Sequence, residues 1–316
     1  QTVLAVVEPQ SSGLGGGSFL LYWDQAKKSL HALDGRETAS AQVDKDMWIT
    51  SEGKIVPWIE ATKSRSAIGV PGTIALLWKG HRQFGRLPWE ANFKRSINLA
   101  KEGFIPSPRF LRSISLAKKL GVNHSQTFRS LYLPNDSFPK QKSLFRNAKL
   151  ASTLRRIARG GAYEFYLGEV ANELINNLQL QQNSNNSVQT ITHRDLEHYK
   201  VQKRKPICRE YRSWKVCSFP PPSGGGVAVL QALGTYEILS KKNSTEEIIS
   251  RWHLLAESLR FADADRSHWI GDPIDLPVPI KGLLDDNYIK ERASTIKSNK
   301  ATFSPMPGKP KGSELL

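Results

Sequence analysis

Two short apolar runs separated by a polar segment near the start of the chain predict a pair of β-strands. The runs are Ser18–Trp23 and Leu30–Leu33, and the polar segment Asp24–Ser29 lies between them. Two strands joined by a short polar turn are typical of a hairpin. The same pattern returns at Ile207–Tyr211 and Trp214–Phe219, which predicts a second hairpin.

The second predicted hairpin brings the two cysteines of the chain together. With Arg212-Ser213 as the turn, Cys208 pairs with Cys217 at a position where the Cα atoms lie close enough for a disulfide. Arg-Ser is, however, a poor dipeptide for a two-residue turn. Two interpretations stay open: a disulfide, which would indicate an oxidising compartment, or two small apolar side chains on one strand face.

Apolar residues spaced by three or four positions predict helices along the rest of the chain. One helix follows Pro71-Gly72, and its apolar stripe comprises Ile74, Leu77, Trp78, His81 and Phe84. A second helix opens at Pro88 and ends at Gly103. Its apolar stripe comprises Phe93, Ile97 and Ala100. Further helical runs cover residues 148–159, 161–178, 224–240, 246–264 and 285–297.

The run at 246–264 predicts an amphipathic helix. The residues that repeat at the helical period there are Ile249, Trp252, Leu255, Leu259 and Ala262. Gln179–Ser187 is rich in Gln, Asn and Ser and is predicted to be a loop. Helices that precede and follow short strands indicate a mixed α/β architecture.

The composition limits the class of protein. The chain has 316 residues, of which 39% are hydrophobic and 23% charged, with 8 Trp, 8 Tyr and 12 Phe. These values indicate a globular chain with a sizeable core and exclude an acidic disordered one. Two cysteines are too few for a disulfide-built scaffold or a four-thiolate zinc site. The longest aliphatic run, Val3–Val7, is far too short to span a bilayer.

We expect both ends to be incomplete. The chain opens at Gln1 without a Met or a signal-like apolar segment, so the native N-terminus is expected upstream. Residues 1–302 are expected to belong to a single domain. Residues 303–316 are expected to form an extended, solvated tail, because Met306–Ser313 is rich in Pro and Gly.

The net charge of +16 suggests an anionic partner. One stretch without acidic residues contains Lys140, Lys142, Arg146, Lys149, Arg155, Arg156 and Arg159. A second basic group is Lys203, Arg204 and Lys205. No nucleic-acid reader motif accompanies these groups, so a solvated face or an acidic partner subunit is favoured over nucleic acid.

Two motifs invite a metal-binding or catalytic interpretation, but a structural one is favoured for both. Asp263 and Asp265 would suit a divalent metal, although carboxylates paired with Arg266 at a helix end are commoner. Thr192, with Asp195 three residues later, is typical of a helix N-cap rather than a nucleophile. Neither motif predicts a metal site.

Two glycine-rich segments are likewise weak signals. Gly13–Gly17 precedes a predicted strand rather than a helix, which argues against a phosphate-binding loop. Gly224–Gly226 opens a predicted helix and indicates tight strand-to-helix packing. Ser223, just before it, lacks the glycine that precedes the serine of a nucleophile elbow.

Arg36 is the best single candidate for ligand binding. It follows the end of a predicted strand, in Leu33-Asp34-Gly35-Arg36-Glu37, and carboxylates flank it. The guanidinium fork suits a carboxylate ligand. The local sequence alone still favours a surface salt bridge for this arginine.

Short motifs occur in a specific order along nearly the whole chain. They are Val7–Gly17, Asp34–Glu37, Val70–Gly72, Gly85–Trp89, Ala162–Gly168, Pro221–Gly225, Phe261–Asp263 and Ile270–Pro273. Each is weak alone, but the ordered set resembles the large subunit of the gamma-glutamyltransferase family, the glutathione hydrolases. The resemblance implies the large-subunit part of an N-terminal-nucleophile hydrolase fold, an αββα sandwich.

The same resemblance implies an activity. In that family a precursor cleaves itself, and the new N-terminal threonine of the small subunit attacks a gamma-glutamyl amide. The acyl group then passes to water or to an amino acid or peptide. No residue of this chain matches the threonine, which is expected just after Leu316, and no cofactor or metal is implied.

The substrate role carries over to Arg36, which matches the family arginine that grips the substrate α-carboxylate. Glu37 is expected to orient Arg36, and Gly13–Gly17 to pack nearby. The resemblance further implies a small-subunit partner from the same precursor, glutathione or other gamma-glutamyl compounds as substrates, and a periplasmic or secreted location. Two alternatives stay open: a cephalosporin-acylase-like amidohydrolase of the same family, and a catalytically silent anion-binding fragment.

Overall fold

The structure is a computed structural model that describes residues 1–121, 126–139, 142–179, 190–242 and 248–315. The chain divides into two compact units. Unit 1 comprises Gln1–Leu20 and Leu33–Gln202, and unit 2 comprises Leu21–Ala32 and Lys203–Leu316. Residues 180–187 of the predicted loop lie outside the described residues, and so does Lys140. The boundary expected between residues 302 and 303 stays a prediction.

Helices and short strands follow one another along the chain, which confirms the mixed α/β prediction. The helices are α1 Leu4–Val7, α2 Trp58–Ala61, α3 Thr73–Phe84, α4 Lys94–Glu102, α5 Pro108–Lys119, α6 Gln126–Tyr132, α7 Ala148–Tyr166, α8 Glu169–Gln179, α9 His193–His198, α10 Gly224–Lys242, α11 Ile248–Trp269, α12 Ile280–Leu283 and α13 Asp286–Ser294. The strands are β1 Ser18–Asp24, β2 Ser29–Gly35, β3 Gln202–Arg204, β4 Ile207–Tyr211 and β5 Trp214–Ser218.

Both predicted hairpins are present. β1 and β2 belong to a three-stranded sheet of order β1–β2–β3, and β4 and β5 form a separate two-stranded sheet. β2 continues to Gly35, two residues beyond its predicted end, and its last four residues are buried. The end of β2 is therefore packed in the core, and Arg36 is the first residue after it.

Helix α7 lies at the centre of the main core of unit 1. Its Leu154 and Ile157 are fully buried and pack with Ile74 of α3. The sequence predicted separate helical runs meeting near residue 160, and a break lies there. Gly161 has φ 62° and ψ −150°, which is not helical, so two helical stretches meet at a kink inside α7. A Cβ on Gly161 would lie 2.8 Å from the Trp78 ring. The second run was predicted to continue to residue 178, but α7 ends at Tyr166 and α8 begins at Glu169.

Helix α11 of unit 2 buries only part of the stripe that its apolar period suggests. Ala262 is buried, but Trp252 is 67% exposed and Leu259 is 48% exposed. The buried side also includes the polar residues Glu257, Ser258 and Asp265. Hydrogen bonds compensate these polar groups, so the hydropathy pattern does not identify the buried face.

The second hairpin has the predicted register. Cys208 lies opposite Cys217 with the Cα atoms 4.0 Å apart, and the two residues form a disulfide. Arg212 in the turn adopts φ 54°, the left-handed conformation that a two-residue hairpin turn requires. A Cβ on Gly226 would lie 1.9 Å from the Phe219 carbonyl oxygen, which confirms the tight strand-to-helix packing.

Replacing both cysteines with alanine is expected to lower the free energy of unfolding by about 2–3 kcal/mol, because the bond closes a short loop that restricts the unfolded chain. Urea denaturation followed by circular dichroism measures the change. Dithiothreitol should lower the wild-type midpoint to that of the variant and leave the variant unchanged. Equal midpoints for the two proteins without reductant would contradict a stabilising disulfide.

Candidate functional site around Arg36

Arg36 directly follows the end of β2, and two hydrogen bonds hold its backbone. Its N–H donates to the Asp34 carboxylate at 2.9 Å, and its carbonyl accepts from the Tyr199 hydroxyl at 2.7 Å. Asp34 is buried and Tyr199 is half-buried. Because the backbone is fixed on both sides, the guanidinium extends from a defined point of unit 1.

Two glycines bring the end of β2 against the start of α3, next to Arg36. A Cβ on Gly35 would lie 2.5 Å from the Leu76 Cβ. A Cβ on Gly72 would lie 2.2 Å from the Gly35 carbonyl oxygen and 2.1 Å from the Tyr199 hydroxyl. These separations are far shorter than van der Waals contact, so neither position has room for a side chain.

Helix α9 holds the chain that follows Arg36. Thr192 and Asp195 form a capping box at its start, which confirms the N-cap prediction. Asp195 also accepts hydrogen bonds from the Ser40 hydroxyl at 3.0 Å and from the Ala41 N–H at 2.8 Å. One carboxylate therefore both caps the helix and anchors the segment beyond Arg36.

Asp195 is expected to make the stability of this region depend on pH. Burial raises the pKa of its carboxyl, but hydrogen bonds from Ala41, Thr192 and Ser40 outweigh burial and hold the pKa below its ordinary value. Such a carboxylate stabilises the fold above the unfolded pKa of about 3.9, and this contribution is lost as the pH falls through the folded pKa. Asp195→Asn should therefore lower the urea midpoint at pH 7, and its difference from the wild type should shrink at pH 3. An undiminished difference at pH 3 would contradict this role.

Tyr199 donates a hydrogen bond to the Arg36 carbonyl, and its surroundings favour the protonated phenol. Its ring stacks on Tyr166, with ring centres 5.8 Å apart and an interplanar angle of 12°. Burial raises the pKa of Tyr199 far above its ordinary value, and the carboxylates of Asp34 and Glu37 raise it further. The phenol therefore keeps its proton.

The Arg36 side chain is exposed and forms no ion pair with any carboxylate in the described part of the chain. The surface salt bridge favoured by the local sequence is therefore wrong. Asp34 is buried and binds the Arg36 backbone instead of its guanidinium. An arginine fork without a carboxylate partner in these residues is suited to an anionic ligand.

The Glu37 carboxylate lies against the glycine-rich loop. A Cβ on Gly17 would lie 2.3 Å from Glu37 Oε2, and a Cβ on Gly16 would lie 3.4 Å from Oε1. The Gly16 carbonyl accepts a hydrogen bond from the Gly72 N–H at 3.0 Å, which joins the loop to the start of α3. The loop thus packs against Glu37, the residue after Arg36. Orientation of Arg36 by Glu37 stays a prediction, because the described residues include no ion pair between them.

An open cavity of about 770 Å³ begins at Arg36. The chain between Thr38 and Val70 forms much of its wall, and an antiparallel bridge between these two residues closes the base of that excursion. The lining includes Arg36, Glu37, Thr38, Trp48, Trp58 and Ile68. Such a volume is in the range of small-molecule sites, and the indole rings add apolar surface to the charged mouth.

The Asp263–Asp265 motif has a structural role. Asp263 pairs with Arg266 at 2.8 Å, as favoured from the sequence. Asp265 is buried and forms its ion pair with Arg292 instead of Arg266. In the parts of the chain that the structure describes, no three His, Cys, Asp or Glu side chains lie together as metal ligands would.

The basic stretch is partly neutralised within unit 1. Arg156 donates to the Glu173 carboxylate at 2.8 Å, and this interaction raises the pKa of the guanidinium. Arg146 donates to the Glu102 carbonyl at 2.9 Å. None of the described basic residues of this stretch lines the Arg36 cavity.

Tyr199 is the member of the site that sequence reasoning missed. It is 163 residues from Arg36 along the chain. The capping box at Thr192 identified the helix before Tyr199, but no pattern in the sequence pairs the tyrosine with the end of β2.

Comparison with known proteins identifies the family to which the chain belongs. The family model described as Gamma-glutamyltranspeptidase matches residues 1–314. The chain belongs to the gamma-glutamyltranspeptidase family. Glutathione hydrolase proenzymes of Bacillus subtilis and Pseudomonas aeruginosa are 33% and 34% identical to it over 98% and 96% of its length. These matches cover 51% and 52% of the relatives, so the chain spans about half the length of the curated relatives it matches.

Solved structures agree with membership of the gamma-glutamyltranspeptidase family. The enzyme from Helicobacter pylori is 30% identical with a TM-score of 0.87, over 97% of this chain and 86% of that chain. A cephalosporin acylase from Bacillus halodurans is 25% identical with a TM-score of 0.78, over 98% of this chain and 56% of that chain. The predicted fold class, the large-subunit part of an N-terminal-nucleophile hydrolase, is confirmed. None of the described helices has the length and hydropathy needed to cross a membrane.

Proposed function

We propose that this chain is the large subunit of a gamma-glutamyltransferase that also acts as a glutathione hydrolase. The observation that carries the proposal is the Arg36 guanidinium, which has no carboxylate partner among the described residues and lies at the mouth of the 770 Å³ cavity. Its position in the Asp34–Glu37 motif matches the substrate-binding arginine that the family resemblance implies. The backbone bonds from Asp34 and Tyr199 fix the point from which it binds.

Arg36 recognises the α-carboxylate of the gamma-glutamyl group. A gamma linkage leaves this carboxylate free, and an arginine fork binds it through two parallel charge-assisted hydrogen bonds. The group bound there extends into the cavity with its side-chain amide presented for attack. Holding the amide in place in this way lowers the entropic cost of the reaction.

The nucleophile belongs to the partner, a small subunit made from the same precursor. Its N-terminal threonine hydroxyl attacks the amide carbonyl, and the free α-amino group serves as the base. The amine leaves, a gamma-glutamyl ester forms, and water or the amino group of an amino acid or peptide then takes the acyl group. These steps use protein groups and substrates alone.

The disulfide between Cys208 and Cys217 supports a periplasmic or secreted location, because such bonds persist in oxidising compartments. An acidic small subunit would complement the net charge of +16.

The test is hydrolysis by the full-length protein of two anilides that differ in one group. Gamma-glutamyl p-nitroanilide carries both the α-amino and the α-carboxylate groups, whereas glutaryl p-nitroanilide lacks the amine. Gamma-glutamyltransferase activity predicts rapid release of nitroaniline from the first compound and acceleration by an added dipeptide acceptor. Absence of hydrolysis of the gamma-glutamyl compound by matured protein would refute the proposal.

The second candidate is a cephalosporin-acylase-like amidohydrolase, favoured by the 0.78 TM-score of the Bacillus halodurans acylase. Hydrolysis of the glutaryl anilide without hydrolysis of the gamma-glutamyl anilide would select it. A silent anion-binding fragment would show salt-sensitive binding to nucleic acid and no hydrolysis of either anilide. The curated relatives named glutathione hydrolase favour the first function over both.

A further inference from the structure

Residues 302–312, here called the C-terminal segment, are anchored to unit 2. Its polar contacts include Thr302 N–H to the Glu257 carboxylate at 2.9 Å, the Met306 carbonyl to Arg292 at 2.8 Å, and the Gly308 carbonyl to the Trp269 indole at 3.0 Å. Pro310 is buried. The segment is extended and its Phe303 and Met306 side chains are exposed, so backbone groups provide most of its anchors.

Asp265 is the centre of this anchorage. One carboxylate oxygen accepts from the Gly308 N–H at 2.8 Å and from Arg292 at 3.1 Å. The other accepts from the Gln231 amide at 2.7 Å and from the Tyr288 hydroxyl at 2.8 Å. The residue has no exposed surface. A buried carboxylate is costly unless its lone pairs are used, and here the segment itself supplies one of the donors.

Tyr288 and Arg292 both donate to Asp265. Burial raises the pKa of the Tyr288 hydroxyl far above its ordinary value, and the Asp265 carboxylate raises it further. Tyr288 is therefore a permanent donor. Arg292 lies over the Phe261 ring at 4.8 Å and also donates to the Phe261 carbonyl at 3.2 Å. Arg292 is therefore held by groups outside the segment as well as by Asp265.

This contact specifies the register of the segment. A Cβ on Gly308 would lie 2.4 Å from the Tyr288 hydroxyl, so only glycine fits at that point. A slip in one direction would bring Pro307, which has no N–H to donate, to Asp265. A slip in the other direction would place the Lys309 side chain where there is no room. The contact with Asp265 therefore allows one register of the segment and excludes the registers shifted by one residue in either direction.

A second close approach lies further along the segment. A Cβ on Gly282 would lie 2.0 Å from the Lys311 carbonyl oxygen, so the backbone of α12 and that of the segment touch there. The chain is therefore fixed at Gly308 and again at Lys311, a few residues before Leu316.

We propose that Asp265 is a positioning residue for self-cleavage, because the register it imposes at Gly308 fixes the part of the chain that leads to the cleaved peptide bond. This inference rests on the proposed function, in which a precursor is cleaved into two subunits. Self-cleavage adds one water across one peptide bond, leaving a carboxylate on this chain and an α-amine on the new threonine. Intramolecular attack requires the reacting atoms about 3–3.5 Å apart, and a displacement of about 1 Å lowers such rates by about a hundredfold.

The test compares two variants of the full-length precursor. Asp265→Asn removes the charge that Gly308 and Arg292 bind, whereas Asp263→Asn changes the exposed aspartate of the same motif and serves as the matched control. We expect Asp265→Asn to slow self-cleavage, followed by gel electrophoresis, by about tenfold or more. Asp263→Asn should cleave at the wild-type rate. Wild-type cleavage by Asp265→Asn would overturn the proposal.

Gly308→Ala provides a variant that leaves the buried carboxylate intact. It should slow cleavage as Asp265→Asn does, with an unchanged circular dichroism spectrum of the precursor. The matured fraction of either variant should retain the wild-type kcat and KM, because positioning for cleavage is no longer needed. A lowered kcat in that matured fraction would instead show a general structural defect and contradict a positioning role.

Hydrogen exchange separates the failure of this inference from failure of the proposed function. The Gly308 amide should be protected in the wild type and exchange about ten times faster in Asp265→Asn, whether or not the protein cleaves itself. A wild-type precursor that never cleaves itself would refute both the proposed function and the role of Asp265 in cleavage. Hydrogen exchange at the Gly308 amide would still show whether Asp265 anchors the segment. An unprotected Gly308 amide in the wild type would overturn the anchorage.

Discussion

Arg36→Lys in the matured enzyme should raise KM for gamma-glutamyl p-nitroanilide about thirtyfold. Lysine keeps the positive charge but replaces the planar fork with a point charge, so one of the two charge-assisted hydrogen bonds to the α-carboxylate is lost. A hydrogen bond to a charged group contributes about 2 kcal/mol, which corresponds to this change. The effect falls on KM because the carboxylate is bound equally in the ground state and the transition state.

The size of this effect should depend on the substrate. A 4-aminobutyryl anilide keeps the amino group and the amide of the gamma-glutamyl compound but lacks its carboxylate. Wild-type enzyme and Arg36→Lys should hydrolyse this analogue equally slowly, since the interaction being tested is absent from both. An equal loss with both anilides would assign the effect of Arg36 to the structure of the site rather than to the carboxylate.

Arg112→Lys provides the matched control for the same experiment. Arg112 is an exposed arginine on α5 of unit 1 and does not line the Arg36 cavity. Its replacement should leave KM and self-cleavage unchanged. Self-cleavage should also survive in Arg36→Lys, because that step does not use the substrate carboxylate. An unchanged KM in Arg36→Lys would contradict the proposed role of Arg36.

Features with a short sequence range were predictable for this protein. The hairpin register that pairs Cys208 with Cys217 follows from a two-residue turn, and the capping box at Thr192 follows from a spacing of three. In each case the partners are close along the chain, so a local rule fixes the contact. Arg36 was a candidate because a strand end and its flanking residues are also a local pattern, but its substrate-binding role is a prediction from the family resemblance.

Contacts between distant segments were not predictable from the pattern. Tyr199 meets Arg36 only because α3, β2 and α9 pack together, and no periodicity encodes that packing. The buried face of α11 was missed for a related reason: Asp265 and Glu257 lie inside because residues of the C-terminal segment donate to them. A pattern of hydrophobicity treats such positions as exposed.

Gly72→Ala should reduce the free energy of unfolding by about 3 kcal/mol, at the upper end of what overpacking usually costs. The added methyl group would lie 2.2 Å from the Gly35 carbonyl oxygen, which is backbone and cannot rotate away. It would also lie 2.1 Å from the Tyr199 hydroxyl. Relief of both contacts requires the end of β2 to move away from the start of α3. Urea denaturation of the precursor, followed by tryptophan fluorescence, measures the loss.

Gly15→Ala is the matched control, because Gly15 lies in the neighbouring glycine-rich loop with nothing within 4 Å of the added Cβ. It should leave the urea midpoint unchanged or raise it slightly, since alanine restricts the unfolded chain. Comparing the two variants therefore separates the effect of a steric clash on stability from the effect of restricting the unfolded backbone. A Gly72→Ala protein as stable as Gly15→Ala would mean that β2 does not pack on α3 as described. The support of Arg36 would then have to come from elsewhere, because the Tyr199 bond to its carbonyl passes through the same contact.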